Sequence, residues 1–415
     1  MEKIPFSPPR IDQEIVDEVT AALRSGWITT GPRTKALEAE VEAMTGVVKA
    51  FCVNSCTAGM ELMLRWFGVG PGDEVIVPAY TYCATANVVI HCGAKPVMVD
   101  VHAEDATIDP QAVAAAITPQ TKAIMPVDLG GMPAAYEQLW EVIEAHKNLF
   151  QATTPEQEQL GRPLLLTDAA HSLGAIYQGK SSALQADATV FSFHAVKNVT
   201  TAEGGAICLN LPSSFDALAL YKTLNTQSLH GQSKDALAKF GKNSWEYDVH
   251  SAGFKCNMPD VLAAIGLVEI KRYTSDTLPK RRQLFADYQQ LLEPMDWAQR
   301  PIAEDDDRHS SAHLYLLRIK DADLEFRNTM IQRIFDQGVS VNVHYKPLPL
   351  LSFYRNLGYQ MGDFPVACDW WQRVITLPIF YDLQKSQVER VVAAVEKAYR
   401  HPKTSFHALP LHRKP

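Results

Sequence analysis

Lys197 closes the run Val190-Phe-Ser-Phe-His-Ala-Val-Lys197 and precedes a loop, Thr200-Thr-Ala-Glu-Gly-Gly205. Most lysines are solvated surface groups, and that is the competing reading of this one. At the end of a buried strand, however, desolvation lowers the ammonium pKa and leaves a nucleophilic neutral amine, as Schiff-base chemistry requires. Asp168 lies 29 residues earlier, at the end of Leu164-Leu-Leu-Thr-Asp168 and just before Ala-Ala-His171. It reads either as a helix cap or as a buried carboxylate paired with a cationic ring nitrogen. Asn54-Ser-Cys-Thr-Ala-Gly-Met60 opens a helix with small residues, as a plain N-cap or as an anion cradle of free backbone N–H groups. Each feature alone has an ordinary explanation. The ordered set describes a pyridoxal phosphate site, in which the phosphate is anchored, Asp168 keeps the ring nitrogen protonated and Lys197 carries the aldehyde and moves the proton.

Such residues must be held by a sheet. The chain alternates short apolar runs with helical periodicity, and its strand candidates are 50–53, 74–77, 96–101, 123–127, 163–167, 189–193 and 206–209. Continuously apolar runs fit strands covered on both faces, so an α/β fold with a large, mostly parallel seven-stranded sheet is expected. Ligands of such sheets bind at the carboxyl ends of the strands, where Thr57, Asp168 and Lys197 fall. Helices are expected at 12–25, over Leu37–Met44, and at 261–271 and 284–292. From about residue 275 the pattern becomes α+β, with a strand at 312–319 and helices at 328–337 and 385–399. The expected organisation is an N-terminal segment (1–30) on the small domain, a large cofactor domain (31–270), a small C-terminal domain (271–400) and a tail (401–415). Residues 145–162 are polar and read as an insertion.

Composition excludes several other classes. With 415 residues, 47% of them hydrophobic, and ordinary Gly and Pro counts, the chain is neither disordered nor fibrous. A formal charge of −8 argues against nucleic acid or anionic lipid as partner, and no apolar run is long enough to span a bilayer. The start, Met1 to Pro9, does not read as a signal peptide. Seven cysteines, most in apolar segments and none at metal-ligand spacing, fit reduced thiols in a cytoplasmic protein without a metal.

At these residues the chain resembles the DegT/DnrJ/EryC1/StrS sugar aminotransferases, a family of fold type I pyridoxal phosphate enzymes. The likeness runs from about residue 5 to 398 through Gly26-Trp-Ile-Thr-Thr-Gly-Pro32, Pro71-Gly-Asp-Glu-Val-Ile-Val-Pro78, Ile117-Thr-Pro-Gln-Thr-Lys-Ala-Ile124 and Phe191–Lys197. Ser55–Met60, Asp168-Ala-Ala-His171 and Ala202–Gly205 resemble most the members that make UDP-4-amino-4-deoxy-L-arabinose. The resemblance implies that Lys197 links covalently to the cofactor and Asp168 pairs with its ring nitrogen. It also implies that Thr57, Ala58 and Ser192 bind the phosphate, Tyr82 stacks on the ring, and His171 sits by the phenolic oxygen. Asn257, in Gly253-Phe-Lys-Cys-Asn-Met258, would reach the phosphate of a neighbouring subunit, so a homodimer with shared sites is implied. Core packing for Tyr82, a satisfied structural histidine at 171 and a turn or cap at Asn257 are the competing readings.

Members that keep the lysine are aminotransferases, so the resemblance implies transfer of an amino group from glutamate, released as 2-oxoglutarate, to a nucleotide-linked ketosugar. Val343-His-Tyr-Lys-Pro-Leu resembles members acting at the 4-keto position and makes His344 a candidate substrate contact. The alternatives are a 3-keto enzyme, a dehydratase or lyase of the same fold, and a regulatory sensor that does not turn over. The chain departs from the family's Val-His-Leu-Tyr-Gly with Val127-Asp-Leu-Gly-Gly131, and carries Pro349 where a second histidine is common. Both changes fall on the sugar side of the pocket.

Overall fold

The computed structural model describes residues 3–233 and 247–400. Seven strands form one sheet: β1 (Lys49–Val53), β2 (Glu74–Pro78), β3 (Lys95–Val99), β4 (Thr121–Ile124), β5 (Leu164–Asp168), β6 (Ala188–Ser192) and β7 (Gly205–Leu209). Their spatial order is β1-β7-β6-β5-β4-β2-β3. Only β7 runs against its neighbours, pairing antiparallel with β1 and β6, while the remaining contacts are parallel. All seven expected strands are present, with ends that differ from expectation by at most three residues.

The apolar runs are continuous because helices cover both faces. On one face α3 (Cys56–Trp66) and α4 (Ala84–His91) pack Met60, Met63, Leu64 and Val88 onto Val75, Val77 and Val190. Gly59 lets α3 sit close, since a Cβ there would stand 2.7 Å from Val190 Cγ1. The other face is covered by α2 (Pro32–Thr45) and the helix Asp260–Arg272 through Leu37, Val41, Ala263 and Ile270. Further along, Tyr136, Leu139 and Ile143 cover Ile76, Ile124 and Leu165.

A three-stranded sheet built from Ala298–Gln299, Tyr315–Ile319 and Val374–Leu377 packs against the helices Leu278–Leu292, Leu324–Asp336 and Lys385–Arg400. Ile4 is buried in that core and bridges to Val339. The strand expected at 312–319 begins only at Tyr315. Arg281 takes the carbonyls of Ala312 (3.1 Å) and His313 (2.7 Å), and Ala312 has a positive φ of 53°, so the chain bends before it can join the ladder. The polar segment 145–162 contains the short helix Pro155–Leu160, capped by Thr154. It is pinned by buried Gln157, whose amide donates to the Phe67 carbonyl at 2.8 Å. The tail from residue 401 lies outside the described residues.

Candidate active site

The carboxyl ends of β1, β5 and β6 open into a cavity of about 490 Å³ lined by Cys56, Thr57, Tyr82, Asp168, His171, Ser192, Lys197, His313, His344 and Tyr345. Helix α3 begins at its edge. Ser55 has extended backbone and its hydroxyl accepts from Ala58 N at 3.1 Å. The first-turn N–H groups of Cys56 and Thr57 have no partner within the helix and are free for an anion. Strand β7 passes this helix start as bare backbone, because a Cβ on Gly205 would stand 2.6 Å from Cys56 N.

Asp168 ends β5 and is 5% exposed. Its Oδ2 accepts from Thr85 Oγ1 at 2.7 Å and its Oδ1 from Ala170 N at 3.2 Å, with the Cys56 thiol 3.8 Å away. Burial raises its pKa, against which the Thr85 and Ala170 hydrogen bonds and the nearby Lys197 charge favour the carboxylate. Lys197 sits in the turn after β6, where its N–H returns to the His194 carbonyl at 2.9 Å. Burial lowers its pKa to about 8, partly offset by Asp168, so a small but useful fraction of the amine, roughly a tenth to a fifth, is neutral near physiological pH.

Four imidazoles, His171, His194, His313 and His344, line the same cavity. His171 Nδ1 accepts from Gly130 N at 3.1 Å, so the neutral ring carries its proton on Nε2, which lies 3.0 Å from the Tyr345 hydroxyl. His344 Nδ1 lies 3.0 Å from Thr376 Oγ1, and its ring stacks on Phe6. Burial pushes His171 well below the usual imidazole range and His344 down to about 4, and the Lys197 charge adds to both shifts. Tyr82 is 58% exposed, and its ring centre lies 5.8 Å from that of Tyr345 at a tilt of 45°.

The structure therefore brings Thr57, Tyr82, Asp168, His171, Ser192, Lys197 and His344 to one cavity. Ala58 and Asn257 are outside its lining. Ala58 gives its N–H to Ser55, and Asn257 donates to Thr30 Oγ1 at 2.6 Å. Sequence reading passed over Thr85, Tyr345 and His313. Thr85 stands three residues after Tyr82 and Tyr345 directly after His344, each overshadowed by that neighbour, and His313 is a lone imidazole in an otherwise apolar run.

The model of the DegT/DnrJ/EryC1/StrS aminotransferase family matches residues 9–396. The chain belongs to that family. It is 37% identical over 397 residues to the spore coat polysaccharide biosynthesis protein SpsC of Bacillus subtilis, spanning 94% of this chain and 96% of that protein. A Streptococcus pneumoniae protein assigned as a sugar aminotransferase superposes in its PMP form with TM-score 0.92 and 44% identity, covering 95% of this chain and 99% of that one. Helicobacter pylori PseC, an aminotransferase involved in the biosynthesis of pseudoaminic acid, superposes with TM-score 0.85 and 26% identity over 96% and 99% of the two chains. As a DegT/DnrJ/EryC1/StrS member the protein is a sugar aminotransferase of fold type I, and its cofactor is pyridoxal phosphate.

Proposed function

We propose that this aminotransferase moves the amino group of glutamate to the 4-keto carbon of a nucleotide-linked sugar, in the cytoplasm, as a homodimer with shared sites. The observation that carries the catalytic part is the buried Lys197 amine, its pKa lowered to about 8, in one cavity with a buried Asp168 and the start of α3. The His344-Tyr-Lys-Pro-Leu segment in the same cavity supports the 4-keto position. The relatives' descriptions, biosynthesis of spore coat polysaccharide and of pseudoaminic acid, support a sugar as the amino acceptor.

The residues fit the cofactor. The orphan amides of Cys56 and Thr57, with the Thr57 and Ser192 hydroxyls, would hold the phosphate, whereas Ala58, whose N–H is given to Ser55, would leave room beside it through its small side chain. Asn257 would complete that cradle in the neighbouring subunit. Asp168 would hold the proton of the ring nitrogen, Tyr82 would cover the ring, and His171 would donate Nε2–H to the phenolic oxygen. When bound, the group supplies an aldehyde for covalent attachment and an electron sink for the substrate carbon. Lys197 provides the attaching amine and, once released, carries the proton to and from that carbon. His344, kept neutral, is left to hydrogen-bond sugar hydroxyls. The large domain would be residues 31–270 and the small one 271–400. Of the segment 1–30, proposed to lie on the small domain, Ile4 packs there while the helix Gln13–Arg24 packs on the helix Asp260–Arg272. The test is a panel of UDP-, dTDP- and GDP-linked 4-keto and 3-keto sugars with glutamate as donor. The proposal expects 2-oxoglutarate release with a 4-ketosugar. Release with 3-ketosugars alone, or with none, refutes it.

A further inference from the structure

We infer that His313 is a specificity residue for the sugar, accepting a hydrogen bond from a hydroxyl of the ketosugar through Nε2. The inference rests on the sugar-amination reading above and assigns a residue to it.

A chain of hydrogen bonds sets the polarity of this ring. The Tyr273 hydroxyl donates to the Leu173 carbonyl at 2.6 Å, so its oxygen is left to accept from Asn198 Nδ2 at 3.1 Å. Asn198 Nδ2 also donates to the Ser311 carbonyl at 3.0 Å. Both donors of the Asn198 amide are thus committed, and its Oδ1 faces His313 Nδ1 at 2.8 Å. That contact requires the proton on Nδ1. A neutral imidazole with its proton there presents a lone pair at Nε2. Burial beside His171, Lys197 and Arg281 keeps the ring neutral. His313 is 4% exposed, lines the cavity, and makes no hydrogen bond at Nε2 among the described residues.

The cavity consequently holds two adjacent imidazoles of opposite polarity, with ring centres 4.5 Å apart. His171 offers a donor and His313 an acceptor. An unpartnered buried acceptor favours a ligand that brings a donor and penalises one that does not. A ketosugar brings hydroxyl groups. The amino acid brings its reacting amine and carboxylates, and a carboxylate oxygen facing the Nε2 lone pair is repelled. The two half-reactions share one cavity, so His313 acts in the sugar half alone.

The experiment compares two substitutions that divide the ring's duties. His313→Asn keeps a donor for Asn198 and removes the acceptor, whereas His313→Gln places a carboxamide oxygen near the Nε2 position. Each half-reaction is followed by stopped-flow absorbance, with glutamate as donor and a UDP-linked 4-ketopentose, or its 3-deoxy and 2-deoxy analogues, as acceptor. For His313→Asn the sugar half-reaction loses about 10- to 100-fold in kcat/KM, while the glutamate half-reaction is unchanged. His313→Gln recovers part of the loss, and one deoxy analogue reacts equally with wild type and His313→Asn. Equal losses in both half-reactions, or an unaltered sugar half-reaction, overturn the assignment while leaving sugar amination intact. A wild-type enzyme that accepts the amino group of glutamate and passes it to no hydroxylated ketosugar overturns both.

Discussion

Replacing Thr85 by Val tests how the buried carboxylate is kept charged. Valine matches threonine in shape, so α4 keeps its packing while the hydroxyl is lost. That hydroxyl donates to Asp168 Oδ2 at 2.7 Å in a water-poor environment, and only the Ala170 N–H, at 3.2 Å, and the more distant Cys56 thiol remain on the carboxylate. A hydrogen bond to a charged group contributes about 1.5–3 kcal/mol, which corresponds to a carboxyl pKa raised by about one to two units. With burial already raising Asp168, the proton shared with a ring nitrogen shifts toward the carboxyl and the electron sink weakens. The expected result is a loss of about 10- to 150-fold in the glutamate half-reaction rate, with a weaker fit to the cofactor in absorbance titration. Thr85→Ser restores both. A Thr85→Val enzyme with wild-type titration and wild-type half-reaction rate would refute the argument that this hydroxyl maintains the Asp168 charge.

Other outcomes follow from the same geometry. Because the Lys197 ammonium is depressed to about 8, covalent capture of added pyridoxal phosphate by the apoenzyme should speed up as pH rises toward 8 and level off above it. Asp168 holds that pKa up, so Asp168→Asn should move the midpoint to lower pH; a midpoint above 9 in wild type, or an upward move in the variant, would contradict this. Gly205→Ala sets a Cβ 2.6 Å from Cys56 N and 2.7 Å from the Phe191 carbonyl, both backbone, and should cost roughly 1–3 kcal/mol or more in urea unfolding. It should also weaken cofactor binding, and unaltered values of both would rule out a close passage of β7. Asp260→Ala strips partners from Gly31 N, Arg33 N, Thr34 N and the Thr34 hydroxyl, so a destabilisation on the order of 3 kcal/mol is expected by denaturant titration.

The sheet was legible because its strands centre on short, mostly apolar runs without polar alternation, the direct consequence of helices on both faces. The carboxyl-end residues were legible for the same reason, since Asp168 and Lys197 interrupt apolar runs where a polar group has to be explained. What stayed hidden depends on partners far apart in the chain. Asp260 caps α2 from 226 residues away through Thr34, Thr85 meets Asp168 across 83, and Asn198 orients His313 across 115. No local period marks such pairs. The strand expected at 312–319 starts late for a related reason, since Arg281, on another helix, takes the carbonyls of Ala312 and His313.

Amino-group transfer in this cavity turns on one lysine. Holoenzyme reduced with borohydride, digested and mapped by mass spectrometry should carry the phosphopyridoxyl group on the peptide containing Lys197, and glutamate added before reduction should remove that label. A label on another lysine, or one that glutamate does not discharge, would contradict the assignment of this cavity as the place where the amino group is transferred.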